Sequence, residues 1–87
     1  MPQHNSSTQV RYFVRDDGTS TGRLPVLERM LTAKGFDFEE AELVREGALQ
    51  GDPEHGDEMA ITIYCPSVAE IYRLGNLLDS FERENSF

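Results

Sequence analysis

The chain is predicted to fold as a single α+β domain in the order β-α-β-β-α, on three observations. Gln9–Arg15 and Met59–Cys65 each alternate with period two, the mark of half-buried strands. Leu24, Leu27, Met30 and Leu31 recur at helical spacing, as do Val68, Ile71, Tyr72, Leu74, Leu78 and Phe81. The 87 residues leave room for one hydrophobic core and no second domain.

Residues 1–8 are polar and read as a flexible tail, leaving 9–87 as the domain. In the first strand Val10, Tyr12 and Val14 share one face, with Arg11, Phe13 and Arg15 on the other. Phe13 among the charges implies that this second face is not fully solvated. Asp16-Asp17-Gly18-Thr19-Ser20-Thr21-Gly22 is turn-forming. The first helix follows, with Pro25 in its first turn, and it stops at Gly35, which tolerates positive φ after Lys34.

The next segment reads two ways. As a helix, Asp37 caps and Ala41, Val44 and Ala48 share a face, and glutamate propensity favours this. As a strand over 38–46, it supplies the neighbour that Met59–Cys65 needs, and this is the expectation adopted. The hairpin loop is then Gly47–Asp57. In the last helix Ser67 and Glu70 form a capping box behind Pro66. Gly75 inside that helix is read as a close approach of helix to sheet.

A right-handed crossover sets both helices on one face of a three-stranded antiparallel sheet of order 1-3-2. This is a ferredoxin-like unit without its last strand, which leaves one edge of strand 1 open. That edge is read as a route to a homodimer or another partner, or as a surface the tail folds back over.

The charge is concentrated. Between Asp37 and Glu58 lie nine acids (Asp37, Glu39, Glu40, Glu42, Glu46, Asp52, Glu54, Asp57 and Glu58) and one base, Arg45, which accounts for the whole net charge of −8. Such a field disfavours direct binding of nucleic acid or anionic membrane and attracts basic protein surfaces. A solubility or salt adaptation is the competing explanation, although it should spread acids along the chain. No apolar run is long enough to span a bilayer, the N-terminus lacks a basic-then-apolar signal, and Cys65 is the one cysteine. Together these set a cytoplasmic expectation.

Catalytic chemistry finds little support. Cys65 precedes a helix N-terminus but has no histidine near it in sequence, and it reads as a small core residue. Asp52-Pro53-Glu54-His55-Gly56-Asp57-Glu58 offers metal-type ligands, but its spacing matches neither a calcium loop nor a zinc site. The expectation is a non-enzymatic chain with no cofactor and no metal.

Gly22-Arg23-Leu24, Leu27, Leu31 and Lys34-Gly35-Phe36-Asp37-Phe38 resemble the first half of an ACT-type regulatory domain. The resemblance covers about 22–65. It implies a ferredoxin-like fold, dimerisation, and an effector bound near Thr21, Gly22 and Leu24. In size, acidity and lack of catalytic motifs, the chain also resembles phage-encoded inhibitors of CRISPR or restriction systems. The function expected is docking on a basic surface of a nucleic-acid-binding protein or complex, as an inhibitor by occupation or mimicry. The contacts would come from Glu39, Glu40, Glu42, Glu46, Asp52, Glu54, Asp57 and Glu58, with Phe13, Phe36 or Phe87 as apolar anchor. An ACT-like sensor is the alternative.

Overall fold

The computed structural model describes residues 8–16, 18–47 and 56–84. Within them the chain is α+β, with an antiparallel sheet of four strands and two helices. In chain order these are β1 (Thr8–Asp16), α1 (Arg23–Ala33), β2 (Asp37–Phe38), β3 (Glu42–Arg45), β4 (Asp57–Cys65) and α2 (Val68–Glu84). β4 is the central strand. All nine residues of β1 pair along one of its edges, from Thr8 opposite Cys65 to Asp16 opposite Asp57, without a register shift. β2 and β3 therefore share its other edge.

The strand expected over 38–46 is thus two short strands. Phe38 lies opposite Ile63, and the Glu39 amide still donates to the Thr62 carbonyl at 2.9 Å. Pairing resumes with Glu42 opposite Ala60, so one more residue than the ladder needs lies between Glu39 and Glu42. A second shift falls between Leu43 and Arg45, leaving Val44 as the extra residue of a bulge. Two insertions in nine residues break the period-two pattern, which is why the segment resisted a single reading. The other strands begin or end a residue or two outside the expected limits: β1 takes in Thr8 and Asp16, and β4 takes in Asp57 and Glu58. Residues 48–55 of the expected loop lie outside the described residues.

One face of the sheet carries the core. Val14 from β1 and Ile61, Ile63 and Cys65 from β4 join Leu24, Leu27 and Leu31 of α1 and Leu74, Leu77 and Phe81 of α2 in one buried cluster. Both helices stop and start as their sequences require. Gly35 takes φ +81°, a left-handed conformation that ends α1, and the Lys34 and Gly35 amides return to the Met30 and Thr32 carbonyls. At the start of α2 the Glu70 amide donates to Ser67 Oγ at 3.3 Å, one arm of the expected capping box. The Glu70 carboxylate is engaged by Arg73, at 2.7 Å.

The reading of Gly75 needs correction. It is exposed, and a Cβ placed there meets nothing within 4 Å, so no close approach to the sheet demands glycine. Replacing it by alanine should then stabilise the helix by roughly 0.5–1 kcal/mol. For a domain of this size that is a rise in melting temperature of about 2–8 °C. Thermal unfolding of Gly75→Ala reads this directly, and a lower melting temperature would show a constraint unseen in the packing.

Candidate functional surface

The second face of the sheet is formed by the alternate residues of the same strands. β1 contributes Gln9, Arg11, Phe13 and Arg15, and β4 contributes Glu58, Ala60, Thr62 and Tyr64, directly opposite them in register. On the far edge Asp37 lies opposite Tyr64, Glu42 opposite Ala60 and Arg45 next to Glu58. Glu39 joins this face because the Tyr64 hydroxyl donates to its carboxylate at 2.5 Å. That hydrogen bond, with burial and the charges of Glu39 and Asp37, raises the phenol pKa and keeps Tyr64 protonated.

No helix of the core cluster covers this face, yet Ala60 is only 1% exposed. Long side chains reach across β4 on this face. The Arg11 guanidinium on one edge approaches the Glu42 carboxylate on the other at 3.8 Å, and it also lies 5.7 Å from the Phe13 ring centroid. Arg45 pairs with Glu58 at 3.6 Å. Phe13 itself stays 51% exposed, a large apolar group standing in a charged surround.

The sequence-predicted contact residues are therefore divided. Glu39, Glu42 and Glu58 share the helix-free face with Phe13. Glu46 is exposed just past β3, and Asp57 accepts from the Gly47 amide at 2.9 Å, closing the described ends of the hairpin. Glu40 sits on the helix side. With Phe38 it lines an open cleft against Pro25, Glu28, Arg29, Thr32 and Ala33 of α1. Asp52 and Glu54 lie outside the described residues, as does Phe87. Phe36 is buried in the core under the Arg73 guanidinium, which lies 4.3 Å from its ring centroid, so it cannot serve as an anchor. The places of the buried Tyr64 and of Asp37 on this face were missed, although they follow from the strand alternation once the register is known.

The helix-side cleft has an electrostatic consequence. Partial burial, reinforced by the charges of Asp16 and Glu40, raises the pKa of Glu28 from its ordinary value. A carboxyl whose folded-state pKa exceeds its unfolded value binds its proton more tightly when folded. Its ionised form therefore weakens the fold above the raised pKa, and the penalty disappears as pH falls through that value to the ordinary range. Glu28→Gln should raise the melting temperature at pH 7 and lose this advantage at acidic pH. A melting-temperature difference that does not change with pH would remove the carboxylate as its cause.

The residues of the alternative sensor site are placed differently. Leu24 is in the core, and Gly22 is the buried N-cap of α1 with extended φ −73° and ψ 179°. Thr21 is exposed on the preceding turn. Neither the α1–β2 cleft nor the groove formed by Met30, Lys34, Phe36, Arg73 and Leu77 is lined by these three residues. Cys65 is buried at the end of β4, and burial pushes its thiol pKa up, which is opposite to what a nucleophile needs. Among the described residues no group of three histidine, cysteine or acidic side chains is arranged to hold a metal, and no helix is long and apolar enough to cross a membrane. Comparison with known proteins finds no family model, curated protein or solved structure that matches this chain.

Proposed function

We propose that this chain is a non-enzymatic, cytoplasmic binding protein whose helix-free sheet face docks on a basic surface of another protein. The observation that supports this reading is one face combining an exposed apolar side chain, Phe13, with four carboxylates, Asp37, Glu39, Glu42 and Glu58, against three arginines, Arg11, Arg15 and Arg45, a net charge of −1. Phe13 supplies the desolvated anchor that affinity requires. The carboxylates set the sign of the partner and speed encounter. Arg11 and Arg45 hold Glu42 and Glu58 in place without withdrawing them, since exposed ion pairs of this kind are worth about 0–1 kcal/mol and exchange readily. A surface that normally holds nucleic acid has the matching charge, and occupying it makes the chain an inhibitor. In this reading the fold is a ferredoxin-like unit of order 1-3-2, with β2 and β3 together filling the single strand position beyond β4.

The test is capture from the source cell followed by binding measurements on the identified protein. Its affinity should fall steeply between low and physiological salt, where the screening length shortens to about 8 Å. An acidic partner, or affinity indifferent to salt, would refute the reading.

A further inference from the structure

We propose that β1 is the seam of a homodimer, in which a second copy of this chain pairs antiparallel along Thr8–Asp16 in a register centred on Tyr12. The inference rests on the edge of β1, independently of the docking reading above.

The nine-residue ladder between β1 and β4 is regular from end to end, so the outer edge of β1 presents an equally regular row of backbone donors and acceptors. Among the described residues no strand lies on that side. β1 contains no proline or bulge, and of the usual protections of an open edge it carries only the charges of Arg11, Arg15 and Asp16, which discourage unspecific pairing and leave a matched strand acceptable. The edge formed by β2 and β3 is a poor template by comparison. Its strands are two and four residues long, twice shifted, and lined with acids that repel a second copy.

The identity of the occupant follows from the strand's own sequence, which is self-complementary. Centred on Tyr12, an antiparallel second copy sets Val10 opposite Val14, Arg11 opposite Phe13, Gln9 opposite Arg15 and Thr8 opposite Asp16, with the two tyrosines on the axis. No like charges meet. Centring on Arg11 sets the two Arg11 side chains against each other, and centring on Phe13 sets Arg11 against Arg15. A slip of one residue brings the helix side of one copy beside the helix-free face of the other. In the Tyr12 register each Arg11 lies opposite an aromatic ring of the kind it already approaches within its own chain.

Charge favours the same edge. β1 carries Arg11, Arg15 and Asp16, a local excess of one positive charge in a chain of net −8. Two copies thus meet along the least anionic edge of the sheet, and their acidic edges lie at the outer ends of one continuous sheet. Each dimer then offers two copies of the acid-lined edge.

Because the Arg11–Phe13 pair occurs twice in this register, substitutions at the exposed Phe13 test it specifically. Sedimentation equilibrium of the full chain across micromolar concentrations should give a dimer of twice the 9.9 kDa chain mass. Phe13→Lys places lysine opposite Arg11 and should weaken dimerisation about tenfold or more. Phe13→Glu places a carboxylate there and should preserve or strengthen it. Circular dichroism on both variants confirms the fold. A monomer at every concentration overturns the proposal and leaves the docking reading standing. A dimer equally indifferent to both substitutions also overturns it, placing the second copy elsewhere.

Discussion

Replacing Phe81 by alanine is expected to remove about 3–5 kcal/mol of stability. That is a large part of the roughly 5–15 kcal/mol that holds a typical domain folded. Phe81 is fully buried in the last turns of α2, and three elements meet on its ring. Tyr12 of β1 meets it edge-on, with centroids 6.4 Å apart and planes at 75°. Arg23, at the start of α1, places its guanidinium 5.2 Å from the ring centroid. Glu82, the next residue, ties the same elements from outside, accepting from the Tyr12 hydroxyl and pairing with Arg23 at 3.1 Å. The alanine variant therefore loses the buried area, leaves a cavity, and frees the end of α2 from both β1 and α1. Urea unfolding should show a lower midpoint with the slope unchanged. A loss below about 1 kcal/mol would mean that the end of α2 contributes little to the core.

The second large effect concerns binding. Reversing Glu39 and Glu42 to lysine changes the charge of the docking face by four units, and like charges placed against a basic partner oppose binding by several kcal/mol. Affinity for the captured partner should fall by about a hundredfold or more. Its salt dependence should flatten. Both side chains are exposed, so the fold should survive. Glu40→Lys is the internal control. It carries the same charge change one residue away, yet it faces α1 across the cleft, and its effect on binding should stay within about threefold. Equal losses from Glu40→Lys and Glu39→Lys would mean that net charge, and not this face, attracts the partner.

Parts of this architecture were legible in the chain for a definite reason. β1 and β4 pair without a shift, so their hydrophobic alternation is uninterrupted and names the core face residue by residue. α2 declares its face by spacing and its start by Ser67, and α1 its end by Gly35. The segment from Asp37 to Arg45 was harder because each inserted residue turns the following side chains to the opposite face. The same shifts decide that Glu39 and Glu42 share a face while Glu40 does not. The division of the acids thus depends on a register that no local pattern specifies. The approach of Arg11 to Glu42 was equally hidden, since it spans three strands. Gly75 misled because its cost to the helix suggested a packing reason, and here there is open space.

The central claim is that the helix-free face of the sheet is the docking surface. Amide chemical-shift mapping of the isotopically labelled chain with its captured partner tests it most directly. The expected result is a continuous footprint over Gln9–Arg15, Asp37–Arg45 and Glu58–Tyr64, centred on Phe13, with the solvent-facing residues of α1 and α2 unmoved. A footprint on the helices, with the Phe13, Glu39 and Glu42 amides unshifted, would contradict it.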